Sequence, residues 1–300
     1  MTEPASTPVP SPLDLEAFSA LVYAMRHRVS SPRPGSHASR SPGPYGRFAG
    51  LSSLAEDNDP RRIDLRSSIT DPFETVFVRR YRQPAHGTVH ILTDLSGSMG
   101  FTGTVSRHAV AAALAGGLAQ AARRSGDAVA AVAAAGPSGP VYRLEATRRA
   151  SAPMEIAAAL GALTPSGAGL DALSACAGLL PPRPSLVFLI SDFAAPLDEI
   201  RALLDRLALH DLRPLILCDL EADMPPKRFG LVHLDDLEGA GRQIAFLRPS
   251  LLRRWRAAAA ARGTALDRLF VEAGCYPLKV TGQIDLDDLT EGLLTGAVPA

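Results

Sequence analysis

Largely apolar runs alternate with segments of helical periodicity over the second two thirds of the chain. The runs lie at residues 89–93, 128–135, 186–190 and 215–218. The helical segments lie at residues 106–124, 153–163, 169–180, 196–209 and 250–273. A strand that is covered on both faces needs no polar positions, so the runs predict buried strands. Strands that alternate with helices at this spacing predict an α/β fold with a mostly parallel sheet flanked by helices.

The pattern is weaker in the remaining segments. Further strands are predicted at residues 75–82, 141–144, 231–234, 242–247 and 276–281, the third and fourth of them as a hairpin. Amphipathic spacing predicts a helix at 13–25 and a weak terminal helix at 285–294, and residues 1–12, rich in Pro, Ser and Thr, predict a disordered tail. The predicted boundaries are a tail at 1–12, an N-terminal extension at 13–85, a main domain at 86–282 and a C-terminal tail at 283–300.

Composition narrows the function classes. Acidic and basic residues balance at 31 each, which argues against nucleic-acid binding because that needs an excess of Lys and Arg. The sequence shows neither a signal peptide nor an apolar run long enough to span a bilayer, so we expect a cytoplasmic protein without a membrane span. The three cysteines are far apart and odd in number, which indicates reduced thiols rather than a disulfide framework or a thiolate metal site.

Two charged segments stand out against this neutral background. Residues 26–47 carry five arginines and no acid. Such an arm either contacts an acidic partner or membrane surface, or is a solvated loop over the domain. Residues 57–66 alternate Asp and Arg, which predicts a local ion-pair network that fixes a loop. Exposed pairs contribute well under about 1 kcal/mol each, so only a partly buried network would matter for stability.

A cluster of oxygen ligands follows two of the predicted strands. Asp94 ends the first buried strand, and Ser96 and Ser98 follow at alternate positions before a predicted helix. Asp192 follows the third buried strand. Since the carboxyl ends of parallel strands lie at one edge of a sheet, we expect the two carboxylates to meet near the two hydroxyls. Hard divalent cations such as Mg²⁺ prefer these ligands, so the four residues are candidate metal ligands.

The same residues carry a resemblance to a known family. The segment Asp94-Leu-Ser-Gly-Ser-Met99 matches the Asp-x-Ser-x-Ser metal-ion-dependent adhesion site of von Willebrand factor A domains. Residues 59–68 and 76–81, with the later Ser191-Asp-Phe193, resemble the corresponding segments of DUF58 proteins. These are bacterial A-domain proteins usually paired with a MoxR-type AAA+ ATPase, and one branch, MxaS, is associated with methanol oxidation. The resemblance implies a von Willebrand factor A-like (Rossmann-like) fold.

By the same resemblance, the chain is an interaction protein rather than an enzyme. A Mg²⁺ ion or another divalent cation would be held by the four candidate ligands and would leave a coordination position open. An acidic residue of a client protein would fill that position. The chain would then act as an adaptor for a MoxR-type ATPase in the maturation or activation of the client, and methanol dehydrogenase is one candidate client.

One position departs from the family pattern. A-domain sites usually receive a further hydroxyl from a threonine, and Gly169 stands at that position here. Thr164 and Ser166 are the candidate replacements, although neither is in register. Because Mg²⁺ accepts water as a ligand, two alternatives stay open. Either the metal site persists in a weakened form, or the loop binds no metal and Ser96 and Ser98 cap the following helix.

No catalytic residue is predicted. A haloacid-dehalogenase-type phosphatase has a second Asp two positions after the first, where Ser96 stands here. The nucleophile elbow Gly-x-Ser-x-Gly would need Gly at the same position, and no Gly-x-x-x-x-Gly-Lys-Ser/Thr loop is present in the sequence. The alternatives to an interaction module are a divalent-metal-dependent hydrolase that uses Asp94 and Asp192, and a scaffold whose metal site has degenerated.

Overall fold

The computed structural model describes residues 14–25, 34–37, 42–43, 46–103, 105–136, 139–219, 230–235, 241–281 and 284–295. They belong to two compact units, residues 27–87 and the remainder of the chain. The predicted tail at 1–12 lies outside the described residues, as do residues 26–33, 38–41 and 44–45 of the predicted basic arm.

The described strands and helices follow the predicted order. The strands are β1 Pro34–His37, β2 Pro42–Gly43, β3 Arg47–Ser53, β4 Phe77–Arg82, β5 Thr88–Asp94, β6 Ala128–Ala134, β7 Pro140–Thr147, β8 Leu186–Ser191, β9 Asp211–Cys218, β10 Gly230–Asp235, β11 Arg242–Leu247 and β12 Leu278–Thr281. The α-helices are α1 Asp14–Ala17, α2 Leu65–Ile69, α3 Arg107–Arg124, α4 Ala152–Ala162, α5 Asp171–Ala177, α6 Leu197–Leu207, α7 Pro249–Glu272 and α8 Leu286–Thr295. Short 3-10 helices lie at Phe18–Ala20, Pro60–Arg62 and Gly97–Gly100. Each element predicted after residue 75 has a counterpart, with ends shifted by a few residues.

Six strands of the larger unit form one sheet, in the order β12-β9-β8-β5-β6-β7. Neighbouring strands are parallel, except that β7 runs antiparallel to β6. This confirms the predicted α/β fold, and the arrangement is consistent with a von Willebrand factor A-like, Rossmann-like domain. Because β5 and β8 are parallel neighbours, their carboxyl ends lie side by side at one edge of the sheet.

The two faces of the sheet carry separate apolar cores. In β8, Phe188 and Ile190 belong to one core and Val187 and Leu189 to the other. Residues of α3, α4 and α8 complete the first core, and residues of α5, α6 and α7 complete the second. Since both faces are covered, the central strands have no solvent face, which explains their nearly continuous apolar sequences.

The N-terminal segment packs into the first core. Its helical part ends at residue 20, and the chain then continues in an extended conformation. Leu21 and Tyr23 are buried, whereas Val22 between them is 53% exposed. The prediction of a helix over 13–25 is therefore wrong beyond residue 20, because alternate burial along an extended chain places these two side chains in the core.

The smaller unit contains an antiparallel sheet in the order β2-β4-β3. The charged run before β4 forms ion pairs, as predicted. Arg62 contacts Asp57 at 3.3 Å and Asp59 at 2.8 Å. Asp64 pairs with Arg79 of β4 at 2.7 Å, so one partner comes from outside the charged run.

The C-terminal part of the chain is held to the sheet. The predicted hairpin is confirmed by the antiparallel pairing of β10 with β11. In α8, Leu289 and Leu293 are buried in the first core. Cys176, Cys218 and Cys275, all within the described residues, are not joined by disulfides. Among the helices that the structure describes, none combines the length and the apolar character that crossing a bilayer requires.

Candidate functional site

The carboxyl ends of β5 and β8 bring the four predicted ligands together. Asp94 is the last residue of β5, and Asp192 follows β8 directly. The hydroxyl of Ser98 lies 3.2 Å from Ser96 Oγ and donates to Asp192 Oδ1 at 3.2 Å. The backbone N–H of Ser96 donates to Asp94 Oδ1 at 2.8 Å. We name these four hydrogen-bonded residues the acid–serine cluster.

The two serines lie at the start of the 3-10 helix Gly97–Gly100. Ser96 has an extended backbone, and its side chain makes no capping hydrogen bond. The helix α3 is capped instead by Ser106, whose Oγ accepts a backbone N–H of the first turn at 3.3 Å. The predicted capping role of Ser96 and Ser98 is therefore wrong, whereas the choice between a weakened and a lost metal site stays open. Their hydroxyls contact each other, and that of Ser98 also contacts the Asp192 carboxylate.

Asp94 is the most deeply buried member of the cluster, with 2% of its surface exposed. Its Oδ2 accepts a hydrogen bond from Ser191 Oγ at 2.6 Å. Burial raises the pKa of Asp94 to about 7, and the charge of Asp192 acts in the same direction, against the hydrogen bonds from Ser191 and Ser96. A cation that binds beside Asp94 would therefore release a proton near neutral pH. The contribution of Ser191 was not predicted, although it directly precedes Asp192.

Arg107 is the second residue that the sequence analysis missed. Its Nη1 donates to Asp192 Oδ2 at 2.6 Å and to the carbonyl oxygen of Ser98 at 3.4 Å. The guanidinium also lies 5.0 Å from the ring centroid of Phe101. A signal was available, because Arg107 is the first residue of α3, and a cation in the first turn of a helix is unfavourable unless an acid compensates it.

The expected third hydroxyl does not join the cluster. Thr164 and Ser166 are both exposed, and within the described residues neither side chain forms a hydrogen bond to the cluster. Gly169 has a left-handed backbone with φ +72°, and a Cβ there would lie 2.7 Å from Glu199 Oε2. A threonine would be strained in that conformation. The departure from the family pattern at this position therefore has a backbone cause.

The donor set suits a hard cation. The cluster offers only oxygen atoms, and adjacent ligands of an octahedral Mg²⁺ ion are about 3 Å apart. The 3.2 Å between Ser96 Oγ and Ser98 Oγ fits that spacing. No group of three or more His, Cys, Asp or Glu side chains in the described ranges could hold a metal ion. Hydroxyls and water would therefore have to supply most of the ligands here.

A comparison with family models decides the family. The model of a family described as "Protein of unknown function DUF58" matches residues 57–265. The chain belongs to the DUF58 family. This confirms the resemblance seen in the sequence. A protein of Paracoccus denitrificans described as "Uncharacterized protein in moxR 3'region" is 35% identical to this DUF58 protein over 101 residues, which make up 34% of the chain and 96% of the relative.

Two crystal structures resemble the DUF58 protein over most of their own length. One is an aerotolerance-related membrane protein from Bacteroides fragilis with multiple mutations to serines. It is 13% identical, and the match covers 70% of this chain and 98% of that one with a TM-score of 0.42. The other is an uncharacterized membrane-spanning protein from Vibrio fischeri. It is 15% identical, and the match covers 69% of this chain and 95% of that one with a TM-score of 0.23.

Proposed function

We propose that this DUF58 protein is a non-enzymatic interaction module that works with a MoxR-type AAA+ ATPase, and that the acid–serine cluster is its contact site. The observation that carries the proposal is the hydrogen-bonded arrangement of two carboxylates and two hydroxyls at one edge of the sheet. In open α/β sheets, ligands bind outside the carboxyl ends of the strands. The ATPase is inferred from the relative described as lying in the moxR 3' region.

The contact would depend on a divalent cation, with Mg²⁺ as the first candidate. The hydroxyls of Ser96 and Ser98 and the two carboxylates would hold it. The cation would supply a Lewis-acidic attachment point for a carboxylate of the client protein. The chain itself orients the two hydroxyls, since the backbone N–H of Gly97 between them donates to the carbonyl oxygen of Gly167 at 2.9 Å.

In this role the protein selects a client for the ATPase. An acidic side chain of the client would complete the site, and the ATPase would remodel the bound client or load it with metal. The resemblance to the MxaS branch makes methanol dehydrogenase one candidate client. The proposal places this protein in the cytoplasm, the location that its sequence predicts.

The proposal is tested by measuring binding to purified methanol dehydrogenase, the candidate client, in Mg²⁺ and in EDTA, with a purified MoxR-type ATPase measured in parallel. We expect the wild-type protein to bind the client in Mg²⁺ and to lose at least about tenfold in affinity for it in EDTA or with Ser98→Ala, because the site loses a ligand. Asp205→Ala is the matched control, since Asp205 is an exposed acid of α6. It should bind like the wild type.

Other outcomes would favour the alternatives. If Ser98→Ala and Asp94→Ala bind the client as the wild type does, the cluster is not the contact site and a scaffold without a working metal site is favoured. Turnover of a phosphoester substrate in Mg²⁺ that Asp94→Ala abolishes would favour a hydrolase. Circular dichroism of each variant separates loss of the contact from loss of the fold.

A further inference from the structure

We propose that Arg107 is the resident cation of the acid–serine cluster, and that its guanidinium competes with a divalent metal ion for the Asp192 carboxylate. The inference rests on the proposed function, because the metal ion concerned is the one assigned to that site. In the metal-free protein, the Arg107 guanidinium would then neutralise the Asp192 carboxylate and occupy it in place of a metal ion.

Both carboxylate oxygens of Asp192 already accept hydrogen bonds. Its Oδ2 accepts from Arg107 Nη1 at 2.6 Å. Its Oδ1 accepts from Ser98 Oγ at 3.2 Å and from the backbone N–H of Ala194 at 3.1 Å. Two donors occupy the lone pairs of Oδ1. The positively charged guanidinium of Arg107 lies beside Oδ2. A metal ion therefore reaches this carboxylate only when the guanidinium withdraws or the Ser98 hydroxyl turns away.

The ion pair between Arg107 and Asp192 is shielded from water. The Arg107 side chain is 12% exposed and that of Asp192 is 3% exposed. Repulsion between the guanidinium and an entering cation is strong in such a low-dielectric environment, and dissolved salt screens it little. The guanidinium and the metal ion therefore bind the Asp192 carboxylate one at a time and not together.

The acid–serine cluster holds Arg107 in place, and the Arg107 side chain has room to move. The N-terminal turn of a helix repels cations, so α3 does not favour a guanidinium there. Within the described residues, Arg107 Nε has no hydrogen-bond partner. A groove with a volume of about 940 Å³, lined in part by Arg107, Asp192 and Trp255 of α7, adjoins the pair. The side chain has space to swing into this groove.

The test is a calorimetric titration of the EDTA-dialysed full chain with MgCl₂. Arg107→Gln removes the charge and keeps much of the length, and we expect it to bind Mg²⁺ at least about tenfold more tightly than the wild type, because a charge a few ångströms from a site shifts its equilibrium by one to three logarithmic units. Arg107→Lys keeps the charge and should bind within about threefold of the wild type. Arg254→Gln removes another arginine that lines the groove, and it should change the affinity less than about twofold.

Equal or weaker Mg²⁺ binding by Arg107→Gln overturns the inference, and so does the lack of binding by both proteins. A measurement on the wild type does not depend on the variant's folding. The side-chain Nε–H of Arg107, followed by ¹⁵N NMR, should exchange faster with solvent as MgCl₂ is added, and an unchanged signal at saturation contradicts the competition. Because neither the client nor the ATPase is involved, loss of client binding and failure of the competition are separate results, and either can occur without the other.

Discussion

Two groups of arginine–aspartate pairs in this molecule differ in where they lie and in how far apart their partners are in sequence. In the smaller unit, Arg62 is 19% exposed, and its partners Asp57 and Asp59 are 29% and 33% exposed. In the larger unit, Arg107 and Asp192 are 12% and 3% exposed and are separated by 85 residues. The first pairs close a local loop at the surface, whereas the second joins helix α3 to the residue that follows β8.

A surface pair and a buried pair contribute differently to the stability and the geometry of the protein. A surface pair exchanges good hydration for a modest attraction, so its net contribution is small. A buried pair is costly to assemble, and removal of one partner is more costly still, because a charge is left without water or counter-charge. The buried pair therefore fixes the geometry of the acid–serine cluster more than it adds to stability.

Removal of Asp192 should have the largest effect on stability. In EDTA, Asp192→Ala should lower the free energy of unfolding by about 2–3 kcal/mol, because Arg107 loses its counter-charge. The groove beside Arg107 lets its side chain turn toward water, which keeps the loss below that of a fully enclosed charge. Urea denaturation followed by circular dichroism measures the loss. The double variant Arg107→Met with Asp192→Leu should recover most of it, since no buried charge is left. A loss below about 1 kcal/mol for Asp192→Ala would mean that water reaches Arg107 and that the pair behaves like a surface pair.

A partly buried histidine adds a case in which burial is the main influence on the charge. His90 lies in the middle of β5, and burial, with smaller contributions from His210 and Arg183, lowers its pKa from 6.5 to about 4. Between these values the unfolded chain binds one proton more than the folded protein. Stability is therefore lost as the pH falls through this window, by about 1.4 kcal/mol per pH unit.

This sign gives a second prediction. Between pH 7 and pH 5, the wild type should lose about 2 kcal/mol more in the free energy of unfolding than His90→Gln does. Urea titrations of both proteins at the two pH values give the difference. An equal loss in both proteins would show that His90 takes up a proton in the folded state and that water or a counter-charge reaches it.

The sequence predicted those parts of the fold in which an apolar run marks a buried strand. The strand β9 shows the limit, because the prediction began at 215 and the structure begins it at Asp211. Asp211 and Arg213 interrupt the apolar pattern, but both side chains are buried and lie 3.4 Å apart. A polar residue that is buried with its partner cannot be distinguished from an exposed one by periodicity alone.

The candidate site shows the same limit. Asp94 and Asp192 could be predicted because each ends or follows a recognisable strand, and parallel strands bring their carboxyl ends to one edge. Arg107 was missed because its partner lies 85 residues away, whereas Arg62 lies within five residues of its partner Asp57. Local spacing reveals local pairs, and the pair that shapes the site depends on the order of the strands in the sheet.

A third prediction concerns a buried contact that carries a hydroxyl instead of a second charge. The hydroxyl of Tyr23 donates to Asp127 across 104 residues of sequence, and Asp127 is 1% exposed. Tyr23→Phe should lower the free energy of unfolding by about 1–2 kcal/mol, since a buried carboxylate loses one donor but keeps other contacts. Urea denaturation measures the loss, and Tyr276→Phe, at a half-exposed tyrosine, should change little. Equal effects of the two variants would contradict this account.

The smallest change in the free energy of unfolding is expected at the surface pairs. Their dependence on salt should differ clearly from that of the buried pair. Arg62→Ala should change the free energy of unfolding by less than about 1 kcal/mol, because both partners stay hydrated. Raising the salt concentration to about 1 M shortens the screening length to about 3 Å, so even this difference from the wild type should shrink. The loss caused by Asp192→Ala should persist at the same concentration of NaCl, because monovalent salt screens a buried pair much less than an exposed one. If salt reduces both losses by the same fraction, burial does not separate the two groups of pairs, and Arg107 is no more a fixed part of the site than Arg62 is of its loop.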